Sequence, residues 1–168
     1  MNHEIKQYRV TGEQPTPLRW VILILTVWLF CMIQTAFLSY VPLFGATIEL
    51  TAAFVLLVAW KRGPVVGGIL GVVGGFLLDA LMGQSWSILP LILLGFGLYA
   101  AWTAKRLFDQ PLTYMLMTLP VYVVLGIWRA VSVGRFVHLF AVVFAGVIGS
   151  VIVYIPTLVK VLRRKKNS

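Results

Sequence analysis

Charged side chains are scarce in this chain, and acidic ones are scarcer still. Asp, Glu, Lys and Arg together make up 11% of the 168 residues, and only five residues are acidic, whereas 60% are hydrophobic. A soluble domain of this size could not cover so much apolar surface. Lipid is the natural solvent for such a chain, and in lipid only helices or closed barrels satisfy the backbone.

Residues that commonly build active sites are also rare. The only cysteine, Cys31, can form neither an intrachain disulfide nor a zinc site, and the two histidines, His3 and His138, lie far apart. The sequence has no glycine-rich phosphate loop that ends in Lys-Ser or Lys-Thr, and no Ser-His-acid order typical of a hydrolase. We therefore expect no enzyme, no bound metal and no cofactor.

What the chain does have is long apolar runs. Six of them approach or exceed the roughly 20 residues that cross a bilayer as a helix, and they cover residues 18–40, 42–60, 64–82, 86–104, 112–131 and 136–162. The runs are continuous rather than alternating, which favours helices over barrel strands. The sequence predicts an all-α polytopic membrane protein: a flexible tail at 1–17, one bundle of six transmembrane helices at 18–162, and a basic tail at 163–168.

Prolines mark several of the expected helix boundaries. Pro17, Pro42, Pro64 and Pro111 lie at or next to expected starts, where a missing N–H costs little. Three further prolines fall inside the expected spans, where they should kink the helices; these are Pro90, Pro120 and Pro156.

The basic residues alternate between the two sides of the predicted bundle. With the N-terminus inside, twelve of the fourteen Lys and Arg residues fall on the cytoplasmic side, and only Arg129 and Arg135 fall outside. This bias in short loops is the positive-inside pattern. It predicts an inner-membrane protein with both termini in the cytoplasm. The net charge of +9 then reflects contact with anionic lipid headgroups rather than nucleic acid.

Glycines repeat along one face of the third run. Gly67, Gly71 and Gly75 are four residues apart, and Gly74 lies beside them. Such spacing lets two helix backbones approach closely. It predicts either packing inside the bundle or a face for a partner protein. Ala141, Ala145 and Gly149 give the sixth run a weaker version of the same pattern.

Two carboxylates lie within the apolar runs. Glu49 is twelve residues before Lys61 and Asp79 fifteen after Pro64, which places them ~18 Å and ~22 Å from the cytoplasmic edge. Ionised groups at such depth pair, reach toward water or line a wet cavity. We expect at least one of them to pair with Arg129 or Arg135 or to cap a helix. Contact with a partner or ligand and proton coupling are the alternatives.

Several motifs follow one another between residues 47 and 108. An acidic residue opens the second span, a Leu- and Val-rich run and a basic-Gly turn follow, and a glycine-rich span ends in Leu-Leu-Asp. A short turn with a glycine, a Leu-rich fourth span and a basic-Leu-Phe exit complete the series. These features are Glu49-Leu50, Leu56-Leu57-Val58, Arg62-Gly63-Pro64, 67–75, Leu77-Leu78-Asp79, Gly83, 89–94 and Arg106-Leu107-Phe108.

This region resembles the central part of the rod shape-determining MreD family. The family usually has Asp where Glu49 stands and Leu-Gly-Leu in place of Ser85-Trp86-Ser87. The resemblance implies a non-enzymatic scaffold of the bacterial elongation machinery. It also implies a bitopic MreC-like partner, indirect links to an MreB-like filament and cell-wall synthases, and a fold similar to the substrate-binding subunits of energy-coupling-factor transporters.

A vitamin-binding subunit of such a transporter is the alternative function. Those subunits typically carry Ala-x-x-x-Ala on their first span to meet the coupling protein. The first span here has a single alanine, Ala36, which favours the scaffold. The residues predicted to bind a partner or pack helices are Glu49, Gly67, Gly71, Gly75, Asp79 and Arg129.

The predicted orientation is testable by cysteine labelling in a Cys31→Ala background. A membrane-impermeant maleimide added to spheroplasts should label Ser85→Cys and should leave Ser168→Cys unlabelled, because only the former faces outward. Lysed spheroplasts should label at both positions. The reverse pattern in intact spheroplasts would reject the orientation.

Overall fold

The fold is known from a computed structural model that describes residues 15–40, 46–83, 88–104, 111–133 and 138–166. Six α-helices account for most of these residues: α1 Pro17–Ile33, α2 Leu50–Arg62, α3 Pro64–Met82, α4 Leu89–Ala104, α5 Pro111–Val133 and α6 His138–Lys166. A π-helical turn, Gln34–Leu38, continues α1. The all-α prediction is confirmed for the described ranges.

The second helix is shorter than expected. Residues 46–49 are not helical, and α2 has 13 residues, about 20 Å at the α-helical rise. Glu49 is therefore the residue before the helix and not a residue within it. Gly63 alone connects α2 to α3, with φ of 98°, a backbone conformation that glycine adopts without strain.

The prolines separate into helix starts and helix interiors. Pro17 and Pro64 occupy the first turns of α1 and α3, and Pro111 begins α5, as expected; Pro42 lies outside the described residues. The prediction for Pro90 is wrong, because α4 begins at Leu89 and Pro90 stands in its first turn. Pro120 and Pro156 do lie inside α5 and α6; the described helices run through them.

Within the described residues, three helical segments are long and apolar enough to cross a bilayer: Pro17–Leu38, Pro64–Met82 and Leu139–Pro156. Two apolar segments, Leu89–Ala104 and Thr113–Trp128, are shorter. Many large apolar side chains on the outside of the described bundle are exposed, among them Leu18, Phe76, Leu91 and Phe140 at 63–82%. A soluble monomer rarely shows so much contiguous apolar surface, so these features are compatible with a membrane protein.

Helix α2 lies at the centre of the bundle. Ten of its 13 residues are buried, and it packs against all five other helices. A helix that is mostly apolar on every face is suited to such a position. The position of α2 thus governs how the outer helices are arranged.

Glycines bring α3 and α4 into backbone contact. A Cβ at Gly71 would overlap the carbonyl of Leu93, and one at Gly75 would overlap Pro90. Gly67 faces Ala59 of α2 and meets Gly97 of α4, whose own missing Cβ would overlap the Gly67 carbonyl. The glycine repeat therefore lies in the α3–α4 interface.

The α5–α6 hairpin packs on α2 through aromatic contacts. Tyr114 donates its hydroxyl to the Ala53 carbonyl at 3.1 Å, stacks on Tyr154 with ring centroids 5.1 Å apart, and meets Trp60 edge-on at 6.2 Å. Lys61 Nζ lies 5.9 Å from the Tyr154 ring centroid. Stacked and edge-on pairs of this kind add to the stabilisation from burial.

Helix α1 is the least embedded of the three long segments. In its most apolar window 22% of the residues are buried, against 50% in α3 and 44% in α6. The buried positions of α1 form one narrow stripe, Leu23, Val27 and Cys31, which continues into Gln34.

We expect Gly71→Leu to destabilise the fold by about 1–3 kcal/mol or more, because the new side chain must push the Leu93 backbone away. The matched control is Gly95→Leu, since a Cβ at Gly95 has nothing within 4 Å. Thermal unfolding in detergent should show a clear loss of melting temperature for the first variant only. Equal melting temperatures would contradict the packing described for α3.

Candidate functional site

Four buried polar residues meet where α1, α2 and α3 come together. Gln34 and Thr51 are fully buried, Glu49 is 3% exposed, and Cys31 is fully buried. We refer to Cys31, Gln34, Glu49 and Thr51 as the Gln34–Glu49 cluster. Polar groups enclosed in apolar surroundings require hydrogen-bond partners, and in this cluster side chains of different elements provide them.

The segment before α2 brings Glu49 into the bundle. Residues 47–49 are irregular, yet Ala46, Ile48 and Glu49 are all buried. Irregular backbone at membrane depth is tolerated only where protein covers it. Gly149 of α6 allows this, because a Cβ there would come within 3.3 Å of the Glu49 carbonyl oxygen and 3.2 Å of Ile48 Cγ2.

Gln34 uses both ends of its amide. Its Nε2 donates to Glu49 Oε2 at 2.7 Å, and its Oε1 accepts the backbone N–H of Thr51 at 3.0 Å. Thr51 is the second residue of α2, so this N–H has no partner within the helix. Glu49 occupies the N-cap position without a side-chain cap. Gln34 of the neighbouring helix therefore caps α2 in its place.

The negative charge of Glu49 lies at the end of α2 where the helix dipole favours it. The N-terminal end of a helix carries partial positive charge, which favours a nearby carboxylate. Glu49 stands at that end of α2, and its hydrogen bond from Gln34 is charge-assisted when the carboxylate is ionised. Two further N–H groups of the first turn also have partners, since Leu50 N–H reaches the Ile48 carbonyl and Ala53 N–H the Glu49 carbonyl.

Gln34 begins the π-helical turn, and two hydroxyls satisfy carbonyls there. Thr35 Oγ1 donates to the Cys31 carbonyl at 2.8 Å, and Ser39 Oγ donates to the Gln34 carbonyl at 3.1 Å. π-Helical turns are rare and occur often at functional sites. This one directs Gln34 inward, whereas Phe37 and Tyr40 are 70% and 83% exposed.

The thiol of Cys31 joins the third helix to the cluster. It lies 3.5 Å from Thr51 Oγ1 and 3.7 Å from the Gly74 carbonyl oxygen. A Cβ at Gly74 would come within 3.2 Å of both Thr51 Cγ2 and Val27 Cγ1. Gly74 thus belongs to the α1–α2–α3 contact, while its neighbours Gly71 and Gly75 face α4. Cys31 is buried, as expected of a small core residue.

A second buried polar contact joins α5 to α6. The hydroxyls of Tyr122 and Ser150 lie 2.8 Å apart, and both residues are fully buried. Tyr122 packs over Gly146, where a Cβ would overlap the ring. The buried hydroxyls thus hold the hairpin together beside the Gln34–Glu49 cluster.

Asp79 lies apart from this cluster, near the C-terminal end of α3. It is 7% exposed, and its Oδ1 has no hydrogen-bond partner within the described part of the chain. Gly83, with φ of 68°, closes the helix just beyond it and donates its N–H to the carbonyls of Ala80 and Asp79. A buried carboxylate at the negative end of a helix dipole is locally unfavourable.

The arginine pairing expected for these carboxylates stays a prediction. Arg135 and the side chain of Arg129 lie outside the described residues. The structure instead gives Glu49 an amide partner that the sequence interpretation missed. Gln34 was visible as a polar residue inside an apolar run, six residues before the run ends at Tyr40.

Comparison of the chain with protein-family models, with curated proteins and with solved structures finds no match.

Exchanging the two side chains of the central hydrogen bond tests the cluster. Gln34→Glu alone should destabilise the protein, by about 1–3 kcal/mol, because it places two carboxylates together in a buried site. Adding Glu49→Gln should recover most of that loss, since the exchanged amide and carboxylate can still form both hydrogen bonds. The measurement is a double-mutant cycle on thermal or denaturant unfolding. A double variant as unstable as the sum of the two single variants would refute the contact.

Proposed function

We propose that the chain is a non-enzymatic membrane scaffold similar to the MreD family. In this proposal six helices form one transmembrane bundle, similar to energy-coupling-factor substrate-binding subunits, with both termini in the cytoplasm. The scaffold binds a bitopic MreC-like protein and thereby helps to position peptidoglycan synthesis.

The observation that carries the proposal is where the family-like motifs lie. Glu49 belongs to the Gln34–Glu49 cluster, the glycines of 67–75 lie in helix interfaces, and Leu78 and Asp79 are 2% and 7% exposed. Residues that pack the interior of the bundle are the ones that proteins of a common fold are expected to share. The apolar exterior then remains for lipid and for partner helices.

The packing around α2 favours a scaffold over a vitamin-binding subunit. Leu56, Tyr114, Tyr122 and Leu125 of α2 and α5 are all at most 1% exposed and belong to one hydrophobic core. A ligand site for a vitamin would be a concave pocket that encloses most of the ligand. The close packing of these side chains supports an assembly function rather than ligand binding.

The basic residues at the ends of α2 and α6 support a contact with anionic lipid on the cytoplasmic side. Lys61 and Arg62 form the last turn of α2, where cations also complement the helix dipole. Helix α6 continues through the basic residues 163–166, so in the proposed orientation these cations lie next to the headgroups. Each basic residue near an anionic surface contributes about 1 kcal/mol to its attraction.

Co-purification tests the scaffold directly. The tagged chain should be extracted from membranes of cells that also produce a tagged MreC-like bitopic protein, in mild detergent. We expect the two chains to elute together at a fixed ratio, and a bitopic protein of unrelated sequence to be absent. Mass spectrometry of the same sample should find no stoichiometric vitamin. A bound vitamin together with no MreC-like protein would support the transporter alternative and reject the scaffold.

A further inference from the structure

The helices of this bundle are attached by contacts of different strength. α3 and α4 share backbone contacts at Gly67, Gly71, Gly75 and Gly97, and α5 and α6 share the Tyr122–Ser150 bond. α1 contributes one narrow buried stripe, and 22% of its most apolar window is buried. The α1 contact is therefore the smallest interface among the long segments.

Lipid changes which interactions hold α1 in place. When an apolar helix leaves its neighbours in a bilayer, its side chains meet lipid tails instead of water, so the hydrophobic effect does not oppose the separation. Close packing and hydrogen bonds must hold it. For α1 the polar contacts to α2 and α3 are concentrated at one end, in the two Gln34 hydrogen bonds and the Cys31 thiol.

The backbone of α1 does not depend on those contacts. Thr35 and Ser39 satisfy carbonyls at the π-helical turn from within α1 itself. If the Gln34 amide leaves Glu49 and Thr51, these local hydrogen bonds remain. α1 and its π-helical turn can thus move as one body without breaking their own helical structure.

We propose that α1 is a movable helix, which the Gln34 amide holds closed by its hydrogen bonds to Glu49 and to the backbone N–H of Thr51. In the closed state Gln34 caps α2 and Cys31 is enclosed between α1, α2 and α3. In the open state the amide is released, α1 tilts away from α2, and the Cys31 thiol becomes accessible. The two states are in equilibrium, and any ligand or partner that binds one of them better shifts that equilibrium.

The chain provides its own reporter for this motion. Cys31 is the only cysteine, it is fully buried, and it lies three residues before Gln34 on the face of α1 that opening would uncover. Its rate of reaction with N-ethylmaleimide, which crosses membranes, therefore measures how often α1 opens. No introduced cysteine is needed.

The experiment compares labelling rates in detergent and in proteoliposomes, far below the melting temperature. We expect Gln34→Leu to raise the rate about eightfold, because it removes two interhelical hydrogen bonds that together contribute about 1.2 kcal/mol in a membrane bundle. The exchange Gln34→Glu with Glu49→Gln should return the rate toward that of the wild type. Gln34→Asn, whose side chain is one methylene shorter, serves if Gln34→Leu does not fold.

A matched control distinguishes opening of α1 from a general loss of stability of the bundle. Tyr114→Phe removes the hydrogen bond to the Ala53 carbonyl and weakens the hold of α5 on α2 without touching α1. We expect it to lower the melting temperature and to leave the Cys31 rate unchanged. Equal rates in the wild type and in a folded Gln34 variant would overturn the proposal. So would an equal acceleration by Tyr114→Phe.

Discussion

A buried polar group has no water to bond with, and this constraint determines the centre of the protein. The irregular residues 47–49 and the first turn of α2 leave backbone and carboxylate groups to be satisfied inside the bundle. Gln34, the first residue of the π-helical turn, satisfies two of them, Oε2 of the Glu49 carboxylate and the Thr51 N–H. Because α2 packs on every other helix, the contact that fixes its start also influences the position of all its neighbours.

Two kinds of contact then build the bundle around α2. Glycines let α3 lie against the backbone of α4, which gives dense packing without polar groups. Hydroxyls and aromatic rings hold α5 and α6, through Tyr114 on the Ala53 carbonyl and Tyr122 on Ser150. α1 has little close packing through glycines, so its attachment depends on the hydrogen bonds of Gln34. In the scaffold that we propose, the lightly attached α1 exchanges its contacts without disturbing the rest of the fold.

Much of this fold was predictable from the sequence because apolar helices follow simple patterns. Continuous apolar runs and prolines at helix starts located the helices, and the glycine spacing of α3 indicated a close helix contact. The start of α2 was not predicted, since Ala46, Ile48 and Leu50 continue the apolar run, and only the burial of residues 46–49 inside the bundle makes an irregular segment possible. The sequence also did not show that Pro90 lies in the first turn of α4, because hydropathy does not distinguish a first turn from the apolar residues before it. Gln34 was overlooked because its partners, Glu49 and Thr51, are fifteen and seventeen residues away, a distance that local periodicity does not reach.

Hydrogen exchange at a single amide tests most directly whether Gln34 fixes the start of α2. The Thr51 N–H has no partner within its own helix and is bonded to Gln34 Oε1 at 3.0 Å. In lipid nanodiscs, NMR-detected exchange should show this amide protected in the wild type and substantially less protected in Gln34→Leu. The amide of Ala53, which bonds the Glu49 carbonyl, provides the reference within the same turn. Unchanged protection of Thr51 in the variant would contradict the account.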